Sequence, residues 1–220
     1  VDPVEAVEAV LERPRWRGLI HRVAAPTLLA AFVVLAARTP TRHGDRLAII
    51  VYALGVTTMF AVSAVYHSGR LSPEATRVFQ RVDHGTILLA IAGTYTAVTA
   101  LAVTGRARAV LLTAIWIAAG IAAFIQVFRI NAPRILGAIG YLVVGWFAAF
   151  DLPAYLRGTT NAEFAWIVAG GVAYSVGAVV YARKKPNPSK EFGFHEVFHA
   201  LTVVGATAHL VAVALMVQAL

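Results

Sequence analysis

The sequence predicts an all-α integral membrane protein, a bundle of seven transmembrane helices with its N-terminus cytoplasmic and its C-terminus outside. Three observations lead there. Of 220 residues, 59% are apolar and only 14% charged, against roughly 45–50% and about 25% in soluble domains, and mean hydropathy is +0.73. The apolar residues gather in blocks long enough to cross a bilayer. The basic residues are unevenly shared between alternate loops. This composition excludes soluble, disordered and low-complexity chains. The net charge of +8 reads first as a topology signal, so membrane lipids are the expected partners and nucleic acid is not.

The elements follow in order. Residues 1–18 are read as an N-terminal interfacial segment and 19–220 as the seven-helix domain. Asp2 suits a helix N-cap and Pro3 the first helical position. Val4, Val7, Val10 and Leu11 then fall on one face with Glu5, Glu8 and Glu12 opposite, as in a helix lying on a membrane surface. No signal-peptide pattern precedes them, and the chain opens at Val1 rather than Met, so its natural start is expected upstream.

A span takes about 20 mostly apolar residues, and seven segments qualify: 19–37, 47–67, 83–104, 109–128, 135–150, 163–182 and 196–219. The fifth is the shortest and can extend through Asp151 and Pro153 to Tyr155. Arg38-Thr39-Pro40, Gly105-Arg106, Asn131-Ala132-Pro133-Arg134 and Arg157-Gly158 punctuate the loops. Gly137, Gly140 and Gly145 in the fifth span, and Gly170, Gly171 and Gly177 in the sixth, recur at helix-packing spacing, where small residues let backbones approach. Of the 19 Lys and Arg residues, Arg38, Arg42, Arg46, Arg106, Arg108 and Arg157 lie on the C-terminal side of the membrane. All the others lie on the N-terminal side, which the positive-inside rule makes cytoplasmic.

With no cysteine, thiolate nucleophiles and sulfur ligands are excluded. Any metal must use His, Asp, Glu, carbonyl or water. Ionisable groups inside spans are costly and therefore candidates for function. They are His21 and Arg22 at the start of span one, His67 ending span two, Asp83 and His84 opening span three, Asp151 at the outer end of span five, and His195, Glu196, His199 and His209 in span seven. His43, in an outer loop, reads as solvated. The alternating direction of the spans brings His67, Asp83, His195 and His199 to one cytoplasmic depth.

The strongest local pattern is His195-Glu196-Val197-Phe198-His199. Histidines at i and i+4 share a helix face and can ligate one metal ion. Isolated membrane histidines more commonly bridge helices by hydrogen bonds, but this pair has a further His and Asp at its depth. Imidazole and carboxylate donors suit Zn²⁺ better than Mg²⁺ or Ca²⁺. The five residues also match the His-Glu-x-x-His pattern of zinc proteases. An intramembrane protease would need a further ligand on an Asp-Gly motif, and none of Asp2, Asp45, Asp83 and Asp151 precedes a glycine. Glu196 also points about 100° away from His195 around the helix. His209 lies about 21 Å beyond His195 along the helix, too far for the same ion. It either bridges helices or lines a cavity.

At these residues the sequence resembles the hemolysin III family, the bacterial branch of the progestin and adipoQ receptor (PAQR) superfamily. Ser63-Ala64-Val65-Tyr66-His67 is similar to that family's Ser-x-x-x-His ending span two. Asp83-His84-Gly85-Thr86-Ile87, running on to Ala92-Gly93-Thr94-Tyr95-Thr96, resembles its Asp-led motif. Gly170-Gly171-Val172-Ala173-Tyr174 with Tyr181 resembles the end of its span six, and His195 to His199 with Gly205-Ala206 and His209 its last helix. Ala97 stands where the family often has proline, which bears on a kink in span three. The resemblance implies Zn²⁺ held by His67, His195 and His199, with Asp83 holding the water at the metal and Ser63 in support, in a bacterial plasma (inner) membrane. Relatives with this constellation are associated with hydrolysis of lipid amides, whereas bacterial members carry a name from cytolysis. Three functions therefore stand at this point. They are a metal-dependent, ceramidase-like lipid-amide hydrolase with Asp83 and Ser63 catalytic, a pore-forming hemolysin with structural zinc, and a receptor or sensor.

Overall fold

The computed structural model describes residues 16, 18–41, 44–69, 71–128 and 134–220. The expected N-terminal amphipathic helix, His43 and the Asn131–Pro133 loop lie outside the described residues. The elements are helices α1 (Leu19–Arg38), α2 (Asp45–Tyr66), α3 (Pro73–Ala102) and α4 (Gly105–Phe128), then α5 (Arg134–Gly145), a 3₁₀ turn (Phe147–Asp151) and α6 (Leu152–Gly158), and finally α7 (Asn161–Arg183) and α8 (Phe194–Gln218). Seven helical segments among the described residues are long and apolar enough to cross a membrane, with α5, the turn and α6 forming one crossing.

Two boundaries differ from the sequence expectation. The third helix starts at Pro73 rather than at 83, which places Asp83 and His84 inside it instead of at its opening. Ser72 is the N-cap: its Oγ accepts from the Ala75 N–H at 3.2 Å, and Pro73 occupies the first turn, where its missing N–H costs nothing. Polar residues at 74–81 lower the hydropathy there without ending the helix. The fifth span does run past 150, but it is interrupted. The Tyr95 hydroxyl donates to the Gly145 carbonyl and accepts from the Ala148 N–H, both at 2.8 Å. Asp151 Oδ1 accepts from Ala154 N at 3.3 Å and starts α6. These bonds satisfy backbone groups that a break inside a membrane would otherwise leave bare.

The main core joins α1, α2, α3 and α8 around Phe32, Tyr52, Phe60 and Val213. A smaller cluster of Leu88, Ala92, Ile115, Ala119 and Val144 fastens α4 and α5 to α3. Side chains such as Leu54, Phe124, Phe128 and Phe150 stay exposed on the outside, as expected where the surrounding solvent is lipid. Helices α2 and α3 approach each other closely. A Cβ on Gly55 would come 2.8 Å from the Leu89 carbonyl oxygen, and one on Gly93 3.1 Å from that of Val51. The glycines of the fifth and sixth spans serve differently, making room for side chains: Gly170 for His209, Gly171 for Trp146 and Gly137 for Gln126.

Candidate metal centre

Three imidazoles meet at one end of the bundle because α2 stops there and α8 starts there. His67 caps α2, its backbone N–H donating to the Ser63 carbonyl at 3.0 Å, and Gly69, at φ +74°, turns the chain away. The first turn of α8 is held by Glu196 Oε2, which accepts from Gly193 N, and by Asn187 Oδ1, which accepts from Phe194 N, both at 2.9 Å. His195 and His199, one turn apart on that helix, then face the same side.

The Nε2 atoms of His67 and His195 are 3.2 Å apart. Ring centroids are separated by 4.7 Å for His67–His195, 4.9 Å for His67–His199 and 4.5 Å for His195–His199. One ligand atom from each of the three lies within 4.8 Å of the other two, so the trio could hold a metal ion. Zn–N bonds of about 2.0–2.1 Å in a tetrahedron place nitrogens about 3.3–3.4 Å apart. The His67–His195 edge matches that length, while the three donor atoms together lie within 4.8 Å of one another. Three imidazole nitrogens are a donor set that fits zinc.

Asp83 and Ser63 are buried in the wall of the same cavity, which holds about 400 Å³. The Ser63 hydroxyl faces the Asp83 carboxyl, and Asp83 stands outside the three-histidine group. The remaining sequence candidates separate from the site or support it. Glu196 is 1% exposed, and its carboxylate closes the start of α8. His84 lines the cavity, and its carbonyl accepts from the Tyr141 hydroxyl at 3.4 Å. Asp151 caps α6. His209 lies at the far end, its Nε2 3.0 Å from the Ile167 carbonyl oxygen, and also lines a second cavity. Both readings of that residue hold.

Three residues join the site beyond those the sequence brings to one depth. His21, a candidate there as an ionisable group in span one, is 3% exposed. It stacks on His199 and meets Phe60 edge-on at 4.8 Å. Gly18, immediately before α1, adopts φ +79°, and a Cβ there would sit 3.1 Å from both the Cβ and the carbonyl oxygen of His67. Only glycine takes that conformation and that contact without strain, so the first span is seated directly on the cluster. Gln126 reaches the cavity from α4 over Gly137. Gln126 carries no charge, so only its polarity within a span marks it in the sequence.

Comparison with known proteins points to one family. A family model described as "Haemolysin-III related" matches residues 10–210. The chain is similar to "Hemolysin-3" of Bacillus cereus, 26% identical over 194 residues, covering 87% of this chain and 85% of that protein. It is also similar to "Hemolysin-3 homolog" of Bacillus subtilis (strain 168), 25% identical over 179 residues and 80% of each chain.

Proposed function

This chain belongs to the haemolysin-III related family, and from that premise we propose that it is a zinc-dependent hydrolase of lipid amides, its site near the cytoplasmic face. One observation carries the proposal: three nitrogen ligands converge in the wall of a cavity that Asp83 and Ser63 also line. His67, His195 and His199 would hold the ion. Bound there, zinc would supply a Lewis acid that polarises the amide carbonyl and acidifies water. Asp83 takes the proton of the attacking water and delivers it to the leaving nitrogen as the C–N bond breaks and the C–O bond forms, giving a carboxylic acid and an amine. Ser63 donates to the oxygen on which charge develops. The side chains of Met59, Ile87 and Phe198 in the cavity wall give the acyl chain an apolar surface.

The test is release of fatty acid from an N-acyl sphingosine by the purified protein, with metal measured in the same sample. Stoichiometric zinc and turnover, both lost in His195→Ala, are expected. Full turnover by the variant overturns the reading. The relatives' name, Hemolysin-3, supports a second reading, in which the chain disrupts target membranes and zinc is structural. Dye release from liposomes that persists after chelation would favour it.

A further inference from the structure

The cavity at the histidine cluster holds about 400 Å³, within the roughly 300–1,000 Å³ of ordinary small-molecule sites, and its wall changes character along α3. Thr76, Gln80, Asp83 and Ile87 all line it, and steps of four, three and four residues put them on one helix face. Gln80 lies three residues before Asp83 and Ile87 four after it, about 4.5 and 6 Å away along the axis in opposite directions. Met59 stands on the Ile87 side, one turn before Ser63 on α2. The level of Asp83 therefore divides a polar rim from an apolar interior.

Three side chains of the polar part have unused hydrogen-bonding groups. Gln80, Arg81 and Gln126 line the cavity, and none has a hydrogen-bond or ion-pair partner among the described residues. Thr76, by contrast, donates to the Ser72 carbonyl at 2.9 Å. Arg81 follows Gln80 by about 100° around the helix and is exposed, so it stands at the rim, within reach of an entering ligand. Gln126 comes from α4 over Gly137, its Nε2 3.0 Å from where a Cβ on that glycine would sit. Among the described residues Asp83 is the one carboxylate in the wall, and it is buried beside Ser63. No carboxylate at the rim neutralises Arg81.

A guanidinium presents a planar fork of N–H donors that matches a carboxylate, and amide NH₂ groups can serve the lone pairs left over. Arg81 lies two residues before Asp83, about 3 Å of helix axis, so the charge it meets belongs to the part of a ligand adjoining the bond at Asp83. An acyl chain takes the apolar side, which leaves the amine half at the rim.

We propose that Arg81, with Gln80 and Gln126, selects lipid amides whose amine half carries a carboxylate, the N-acyl amino acids, over neutral-headed amides such as N-acyl sphingosines. The inference rests on the hydrolase reading for the direction in which the ligand lies. Arg77 supplies a contrast within the same helix. It is outside the cavity wall and lies 3.8 Å from Glu74, so it carries the same charge without the site.

The experiment is equilibrium binding of radiolabelled N-decanoylglycine to the detergent-purified full chain carrying Asp83→Asn, which is expected to leave the ligand intact, with N-decanoylethanolamine as competitor. The short acyl chain suits a cavity of this volume. The glycine conjugate should bind about tenfold tighter than the ethanolamide, the lower end of the range for a charge-assisted hydrogen bond. Adding Arg81→Gln should erase the preference, Arg81→Lys should keep part of it, and Arg77→Gln should leave it intact. Absence of saturable binding, equal binding of the two ligands, a preference that survives Arg81→Gln, or one lost equally in Arg77→Gln would each overturn the proposal. Release of decanoate from both amides is measured with the parent chain. An Arg81-dependent preference without release would uphold the subsite and overturn the hydrolase reading, and release without a preference would do the reverse.

Discussion

The imidazole of His21, from the first membrane helix, lies face to face on that of His199, from the last, with centroids 3.9 Å apart and planes 5° from parallel. Phe60 abuts His21 edge-on, so the ring plane of His199 is set by a stack of side chains from α1 and α2. Loss of a group that orients a metal ligand typically costs 10–100-fold in metal affinity. His21→Ala should weaken zinc binding by about that factor, whereas His21→Phe, which keeps a flat ring, should stay within a fewfold of the parent. Competition against a chromophoric chelator measures both. Equal affinity in all three proteins would show that the stack does not orient the ligand.

Asp83 and His199 should separate chemistry from metal retention. Asp83 lies outside the three-histidine group but in the same cavity. Asp83→Asn preserves shape while removing the proton acceptor. It is expected to keep its zinc and lose about 10²–10⁴ in turnover, the usual scale of general acid–base catalysis. His199→Ala should lose both metal and turnover. An Asp83→Asn protein with full turnover on the N-acyl sphingosine would remove Asp83 from the mechanism.

Much of this was legible in the sequence because membrane burial limits the solutions. Backbone groups must bond internally, so apolar runs become helices, and the alternation of direction brings His67, Asp83, His195 and His199 to one end. What sequence could not supply was lateral packing. His21 shares that depth, but only the seating of α1 against α2 and α8 decides that it touches His199. Glycine spacing likewise marks small positions without naming the neighbour: Gly55 and Gly93 admit backbone, whereas Gly170 admits the His209 ring. The start of α3 was hidden because hydropathy reports the bilayer, while the Ser72 cap reports the helix.

Glu196 distinguishes a structural carboxylate from a catalytic one. The sequence pattern would make it the base of a zinc protease, yet its Oε2 accepts from Gly193 N at the start of α8. Glu196→Gln retains a carbonyl oxygen for that bond. Its turnover should stay within a fewfold of the parent, while Glu196→Ala should lower thermal stability by about 0.5–2 kcal/mol, the usual range for loss of a helix cap. Turnover assays and melting curves in detergent test the pair. A Glu196→Gln protein that is stable, binds zinc and is inactive would restore the catalytic role.

The proposed placement of the cluster at the cytoplasmic face rests on charge. Lys184, Lys185 and Lys190 lie between α7 and α8 at the end of the bundle where His195 enters, and positive loops are retained in the cytoplasm. The absence of cysteine gives a clean background for labelling. Glu191 and Leu220 are both exposed, and neither position adds or removes a positive charge. On intact cells a membrane-impermeant maleimide should label Leu220→Cys and should reach Glu191→Cys only after permeabilisation. The opposite pattern would put the three histidines on the outer face, where a substrate would enter from the other leaflet.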